Sequence, residues 1–194
     1  LPDGSPDENA GPGVVRENCA RCHGAAGGAQ EREGAFPRLA GQRTEYMDQA
    51  LRAYADGRRY SGIMGPIAAN LTAESREQAV RHYASMKPTA SAHVGEEESL
   101  RRGQDIAVGG IASADIPRCI ECHGPAVSPA KNPSYPSLAG QPATYLKGQL
   151  QLMKERRRGG SEYVHLMHAF VDRLTERHVD DVTGYFASLP VVPE

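Results

Sequence analysis

A five-residue motif with two thiols and one imidazole occurs twice in this chain. The sequence reads Cys-Ala-Arg-Cys-His at residues 19–23 and Cys-Ile-Glu-Cys-His at residues 119–123, and the two copies contain all four cysteines. Cys-x-x-Cys-His is the attachment signature of c-type haem, in which the thiols add to the vinyl groups and the histidine binds the iron. The motifs therefore predict two covalently bound haem c groups. The residues concerned are Cys19, Cys22 and His23 for the first haem and Cys119, Cys122 and His123 for the second.

Three other uses of four cysteines fit the sequence less well. The two halves of a zinc ribbon lie roughly 15–20 residues apart, whereas Cys22 and Cys119 are far more distant from each other. A thioredoxin-like dithiol would need a preceding strand within a βαβ pattern, and neither motif has one. Two structural disulfides stay open, although they would leave His23 and His123 without a role.

The composition suits a cofactor-filled protein and excludes several function classes. The 194 residues have a formal net charge of −2, hydrophobic residues make up 39%, and tryptophan is absent. Such a charge predicts no basic surface for nucleic acid, and no apolar run approaches the roughly 18 residues that span a bilayer. Two protein cores with so few large aromatic side chains would be thin, and two buried porphyrins would fill them.

The first residues indicate an exported protein. The chain begins at Leu1 without a methionine, which we interpret as a mature form whose signal peptide has been removed. Because covalent haem is attached outside the bacterial cytoplasm, we expect a periplasmic protein, and peripheral association with the membrane stays open. Residues 1–11 are polar and predict a flexible arm.

The similarity between the two halves of the chain continues beyond the cysteine motifs. Phe-Pro-Arg-Leu-Ala-Gly-Gln at residues 36–42 recurs as Tyr-Pro-Ser-Leu-Ala-Gly-Gln at residues 135–141. Strand signals are weak, and apolar residues recur at helical spacing after each copy. We therefore expect a mainly α protein with two tandem helical domains, an N-terminal domain at 1–91 and a C-terminal domain at 92–194, with a linker at about 87–95.

Apolar spacing and capping residues predict individual helices. Thr175 is the expected N-cap of the last helix, and Thr72 opens the equivalent helix of the first half. Acidic residues 96–98 are expected at the start of a helix that runs toward Val108, where they complement the helix dipole. The predicted apolar faces are Tyr46, Ala50, Leu51 and Tyr54; Leu146, Leu150 and Met153; and Val179, Val182, Phe186 and Leu189.

Methionine supplies the most suitable sixth ligand for each iron. Met64 and Met167 both lie seven residues before the leucine that precedes the last helix of their half. Both fall in segments that we expect to be irregular loops, from which a side chain can reach the far side of a haem. We therefore predict Met64 and Met167 as axial ligands, and Met47 and Met86 as core residues.

The two cysteine motifs, the two Pro-x-Leu-Ala-Gly-Gln segments and the two late methionines together resemble a known family. They are similar to the dihaem cytochromes c of the cytochrome c4 type, and the resemblance covers nearly all of residues 14–189. It implies two class I cytochrome c domains about a pseudo-two-fold axis, with the haem propionates near the interface. It also implies that the carbonyls of Pro37 and Pro136 bond to His23 and His123 and orient the two imidazoles.

The chain departs from this family around Met167. His165 and His168 flank this methionine, and either histidine in its place would give bis-histidine iron with a lower potential, whereas histidine and methionine together raise the potential. The alternative interpretation for both is a solvated loop histidine. Residues 154–160 form a charged loop, whose arginines at 156–158 could pair with propionates, attract an acidic partner or be solvated.

Two functions from different classes are compatible with this residue set. An electron carrier would have six ligands on both irons and would pass single electrons from a quinol-oxidising complex or a dehydrogenase to a terminal oxidase or reductase. A haem enzyme or enzyme subunit, such as a dihaem peroxidase or a thiosulfate dehydrogenase-like protein, would need one labile axial site. The paired methionines favour the electron carrier, and we predict no catalytic residue.

Overall fold

Helices make up almost all of the regular structure of this protein. The computed structural model describes residues 11–28, 36–88, 95–125 and 132–191. Within these ranges the extended pairings are two isolated antiparallel bridges, Arg59 with Arg158 and Ile111 with Ile116, and the predicted mainly α class is confirmed. The helices are α1 (Val15–Cys19, π-helical, continuing as Ala20–His23), α2 (Thr44–Ala55), α3 (Met64–Ala69), α4 (Ala73–Ser85), α5 (Glu97–Gly109), α6 (Cys119–His123), α7 (Ala143–Lys154), α8 (Val164–Val171) and α9 (Glu176–Ser188), with one 3-10 turn at Ala112–Ala114.

The predicted connection between the two halves lies mostly outside the described residues. The arm at 1–11 is described only at Gly11, and the linker at about 87–95 only at its two ends. The predicted boundary between residues 91 and 92 is likewise outside the described ranges. We call the described residues up to 88 the first half and those from 95 onward the second half.

Each half has a small apolar core at equivalent positions of the repeat. One cluster joins α1 to α2 and α4, and the other joins α5 to α7 and α9. Met47 lies in the first cluster, as predicted. Met86 does not, because α4 ends one residue before it and its backbone is extended there. The clusters are Val15, Met47, Ala79, Val80 and Tyr83, and Ile106, Ala107, Leu146, Val182 and Phe186.

The last helix of each half begins at the threonine predicted to cap it. The hydroxyl of Thr72 accepts a hydrogen bond from the backbone N–H of Ser75 at 3.1 Å, and Thr175 accepts one from His178 at 3.1 Å. The ring of His178 in turn accepts from the N–H of Thr175, which completes a capping box. Both predicted helix starts are confirmed, and each cap satisfies a donor that the first turn leaves free.

The second half contains a segment that has no counterpart in the first. α1 continues directly into the first cysteine motif, whereas residues 110–118 separate α5 from α6. The helix expected to run from the acidic residues toward Val108 is confirmed as α5. It crosses α9 so closely that a Cβ on Gly103 would overlap the carbonyl oxygen of Asp181. This close crossing holds the start of the second half against its last helix.

The interface between the halves is built from pairs of equivalent residues. Gln42 and Gln141 end the two copies of the repeated segment, and both are buried. The side chain of Gln42 bonds to the backbone of Ser137, and that of Gln141 bonds to the backbone of Arg38. Arg38 and Ser137 also occupy the same position of the repeat. An exchange of equivalent contacts is characteristic of a two-fold arrangement, as the resemblance implied.

A second pair of contacts joins the halves beside this one. The N–H of Tyr60 donates to the carbonyl of Arg157 at 2.8 Å, and the N–H of Gly159 donates to the carbonyl of Arg58 at 2.7 Å. These bonds form the antiparallel bridge between Arg59 and Arg158. The bridge aligns the loops that follow α2 and α7, and it brings the two arginine side chains to the interface.

Candidate haem-binding sites

One large cavity extends across both halves and contains the residues of both cysteine motifs. Its volume is about 620 Å³, and its apolar walls come largely from equivalent positions of the repeat. Its wall includes residues of α2 and α7 and of the segments 36–42 and 134–141. Equivalent wall residues include Leu39 and Leu138, Met47 and Leu146, Leu51 and Leu150, and Leu71 and Leu174.

All four cysteines lie at the wall of this cavity, and none forms a disulfide with another. Burial raises the pKa of Cys19 to about 11 and that of Cys119 to about 11. A redox dithiol requires a lowered thiol pKa, so the thioredoxin-like alternative does not fit these environments. Thiols at the wall of an apolar cavity suit the predicted addition to the vinyl groups of a porphyrin.

The two motif histidines are held by backbone carbonyls of the repeated segment. His23 ends α1 and His123 ends α6, and both line the cavity. The Nδ1 atom of His23 lies 3.1 Å from the carbonyl oxygen of Pro37, and that of His123 lies 3.0 Å from the carbonyl oxygen of Pro136. Burial lowers the pKa of both imidazoles. A neutral imidazole whose Nδ1–H donates to a carbonyl leaves Nε2 available for a metal.

Met64 and Met167 both line the cavity, although neither lies in an irregular loop. Met64 is the first residue of α3, and Met167 lies within α8. The prediction of loops was wrong because these helices have only six and eight residues, too few for a clear apolar period. Pro66 also argued against a helix at α3, although proline is tolerated in the first helical turn, where it lies. Both side chains nevertheless contact the cavity that contains the cysteine motifs.

Two further methionines contact the cavity from other helices. Met47, on α2, and Met153, on α7, are 6% and 7% exposed. These two do not occupy equivalent positions of the repeat, whereas Met64 and Met167 do. A duplicated fold with a duplicated iron site should place its ligands at equivalent positions, and this favours Met64 and Met167.

Neither histidine beside Met167 lines the cavity. His165 is exposed on α8. The Nε2 atom of His168 lies 2.8 Å from the carbonyl oxygen of Arg158, so this ring is hydrogen-bonded to the loop that follows α7. The geometry supports Met167 over either histidine as the ligand of the second iron.

The three arginines at 156–158 have three different environments. Arg156 is exposed and pairs with Asp172. The guanidinium of Arg157 lies 3.8 Å from the centre of the Tyr60 ring, across the interface. Arg158 alone lines the cavity, and it is 9% exposed.

Arg158 has an equivalent in the first half that we did not predict from the sequence. Arg59, 4% exposed, donates to the hydroxyls of Tyr46 and Tyr145 at 3.3 and 2.9 Å and to Gln149. Burial raises the pKa of Tyr46, but the charges of Arg59 and Arg158 outweigh it and bring the pKa to about 8. The repeat contained a signal for this cluster, since the arginine and tyrosine pairs recur at the same offset as the repeated segments.

These residues fit a haem in each half. A c-type haem needs two thiols for its vinyl groups and, with methionine as sixth ligand, a neutral imidazole and a thioether for its iron, and both halves have these groups at the cavity wall. Arg59 and Arg158 are bonded to phenols and an amide and pair with no described carboxylate. Buried cations need anionic partners, and haem propionates would provide them here.

Comparison with known proteins agrees with this geometry. A family model described as cytochrome c oxidase, cbb3-type, subunit III matches residues 6–82. A cytochrome c4 of Thiocapsa roseopersicina is 35% identical over 94% of this chain and 93% of its own length. This chain belongs to the cytochrome c4 family. The predictions of two covalently bound haem c groups and of an electron carrier are confirmed with it.

Two further relatives of this cytochrome c4 family member have names that refer to thiosulfate dehydrogenase. A thiosulfate dehydrogenase electron acceptor of Thiomonas intermedia is 34% identical over 91% of the chain and 80% of its own length. The structure of a thiosulfate dehydrogenase of Marichromatium purpuratum is 33% identical, with a TM-score of 0.81, over 89% of this chain. The chain spans 36% of that larger protein. The names of the curated relatives describe electron carriers and do not support the enzyme alternative.

None of the helices in the described ranges combines the length and apolar character that a bilayer span requires.

Proposed function

We propose that this protein accepts electrons from a thiosulfate-oxidising enzyme and delivers them singly to a terminal oxidase or reductase. The observation that carries this proposal is the likeness to a thiosulfate dehydrogenase electron acceptor over 91% of the chain. Joining two thiosulfate anions into one tetrathionate releases two electrons, which two haems can each take singly. We place this exchange in the periplasm, because covalent haem is attached outside the bacterial cytoplasm.

We further propose one iron site in each of two domains, 1–91 and 92–194. His23 and Met64 would be the axial ligands in the first domain, and His123 and Met167 in the second. Their common position at the cavity wall and their equivalence in the repeat support this assignment. Each haem, when bound, supplies a one-electron iron couple.

The surrounding residues suit rapid electron transfer with little rearrangement. A histidine and a methionine in each half would hold the iron and would leave no ligand site open to solvent. The carbonyls of Pro37 and Pro136 hold the histidine rings in one orientation, and the apolar walls of the cavity would exclude water from the iron. The cavity continues across the interface, which supports electron exchange between the halves.

The partner is tested with ferric holoprotein, thiosulfate and a purified thiosulfate dehydrogenase in stopped-flow absorbance. We expect reduction of both haems only when enzyme and thiosulfate are both present. Ferricyanide serves as the control acceptor that shows the enzyme to be active. An enzyme that reduces ferricyanide and leaves this protein oxidised would show that the partner is wrong.

Ligand binding tests the closed iron sites separately. Ferric protein should bind cyanide slowly and weakly at both haems, because a methionine must first be displaced. Fast stoichiometric binding at either haem would contradict the proposed ligation and favour a labile site.

A further inference from the structure

One peptide group in the second half contacts both a proximal histidine and the other half of the molecule. The peptide between Pro136 and Ser137 has its carbonyl oxygen 3.0 Å from Nδ1 of His123. The N–H of the same peptide donates to Oε1 of Gln42, in the first half, at 2.9 Å. A single planar group therefore connects Gln42 to the ring of His123.

The equivalent peptide of the first half makes the same two contacts in the opposite direction. The carbonyl oxygen between Pro37 and Arg38 lies 3.1 Å from Nδ1 of His23. The N–H of Arg38 donates to Oε1 of Gln141, in the second half, at 3.0 Å. Each histidine is thus backed by a peptide whose other end is held by the opposite half.

Both glutamines hold their target residue by two bonds. Nε2 of Gln42 donates to the carbonyl of Ser137 at 3.0 Å, and Nε2 of Gln141 donates to the carbonyl of Arg38 at 2.8 Å. The glutamines are 5% and 3% exposed, so water competes little for these bonds. Oε1 of Gln42 also accepts from the N–H of Arg43. The two bonds fix the position of each peptide and keep its N–H hydrogen-bonded.

The electronic structure of a peptide couples its two ends. Resonance gives the C–N bond partial double-bond character, so an N–H that donates a hydrogen bond leaves more negative charge on the carbonyl oxygen. In a chain of hydrogen bonds each bond strengthens the next by roughly 10–30%. A stronger acceptor draws the Nδ1 proton of the histidine, makes its Nε2 a better donor to iron and stabilises the ferric state.

We propose that Gln42 is a positioning residue for the proximal histidine of the second haem, and Gln141 for that of the first haem. Each half then adjusts the reduction potential of the iron in the other half. This inference rests on the proposed axial role of His23 and His123. It also gives the interface a role beyond holding the two halves together.

The test is a pair of variants, Gln42→Leu and Gln141→Leu, with the potential of each haem followed through its assigned NMR methyl signals. Gln42→Leu should make the second haem easier to reduce by about threefold in its equilibrium constant, about 28 mV at roughly 59 mV per tenfold. The first haem should change far less. Gln141→Leu should give the reverse pattern, so each variant is the matched control of the other.

The proposal requires that each substitution shifts the potential of the haem in the opposite half. An effect confined to the substituted half, or one spread over both halves, would give a different pattern. A larger shift at the haem of the substituted half would overturn the proposal, and so would equal shifts at both haems in both variants. A loosened interface would produce equal shifts, because it affects both sites together.

A second measurement covers the case in which a leucine variant does not fold. In the ferrous protein, Gln42→Glu retains an acceptor for the N–H of Ser137, so the Nδ1–H resonance of His123 should stay in place or move downfield. The resonance of His23 should not follow it. Loss of the His123 bond in Gln42→Glu, or an equal change at His23, would overturn the inference. Spectra showing that either histidine is not an iron ligand would instead refute the proposed function.

Discussion

The hydroxyl of Tyr46, in the first half, accepts a hydrogen bond from Arg158, in the second half, at 2.9 Å. The equivalent hydroxyl of Tyr145 accepts one from Arg59 at the same distance. These crossed contacts bury two cations at the interface, in the wall of the cavity that is lined by both haem attachment motifs. Neither guanidinium pairs with a carboxylate of the described chain, so the interface is electrostatically suited to anionic groups.

Replacement of Arg59 by methionine should lower the reduction potentials of both haems. A buried cation in the cavity that would hold both irons disfavours the more positive ferric state, and its loss removes that effect. The variant should also unfold more easily, by about 1–3 kcal/mol, because Tyr145 and Gln149 lose a buried partner. Redox titration and guanidinium unfolding measure the two effects. Arg58→Met is the control, since Arg58 is exposed and paired with Asp56, and unchanged potentials in Arg59→Met would contradict the role assigned to this cation.

Loss of either proposed methionine ligand should remove about half of the ferric methionine–iron charge-transfer band, because each iron contributes one such bond. Met64→Ala should affect the first haem only, and Met167→Ala the second only. Visible spectra of the two ferric variants provide the measurement.

Two other cavity methionines provide matched controls for these substitutions. Met47→Ala and Met153→Ala remove buried side chains of α2 and α7 and should retain the full band, although both should reduce stability by about 2–5 kcal/mol. An unchanged spectrum of Met167→Ala would show that His165, His168 or Met153 binds the second iron.

Replacement of Asp181 by asparagine should destabilise the protein at neutral pH. This carboxylate is 3% exposed and accepts bonds from Arg102 at 2.7 and 2.9 Å and from Ser99. Hydrogen bonds to charged groups contribute about 1.5–3 kcal/mol, and we expect a loss of that size in the free energy of unfolding. Asp180→Asn is the control, because its partner Lys147 and Asp180 itself are exposed.

The effect of Asp181 should depend on pH in one direction. The hydrogen bond from Arg102 holds the pKa of Asp181 below its usual range. A lowered folded pKa stabilises the protein above the unfolded pKa of about 3.9, and this contribution disappears as the pH falls through the folded value. The stability difference between the wild type and Asp181→Asn should therefore shrink in acid, and a difference that grows on acidification would contradict the assignment.

The close crossing of α5 and α9 predicts opposite outcomes for two glycine substitutions. In Gly103→Ala the new Cβ would overlap the carbonyl oxygen of Asp181 and approach Cβ of Tyr185 at 2.7 Å, which should cost about 1–3 kcal/mol of stability. In Gly148→Ala, within α7, nothing lies within 4 Å of the new atom. That variant should be more stable by about 0.5–1 kcal/mol. Unfolding of the two holoproteins measures both, and equal stability of Gly103→Ala and wild type would show that the helices can separate.

The two short helices that contain Met64 and Met167 could not be predicted from the sequence. Thr72 and Thr175 identify the start of the long helices, because a cap depends only on residues within one turn. Met64 and Met167 lie in helices of only six and eight residues, where packing against α2 and α7 replaces any local signal. Met86 was placed in the core by analogy with Leu189, although α4 ends before it.

The two haem attachment motifs, the repeat, the mainly α class and the family could all be predicted from the sequence, because each depends on residue types at short and recurring spacings. Tertiary structure alone decided that Arg59 and Arg158 are buried together and that Gln42 and Gln141 each bind the backbone of the other half. The physical reason is that these contacts join residues about one repeat apart, and no local pattern encodes a hydrogen bond across an interface. Only the packed fold shows which polar side chains leave water and which partners they then meet.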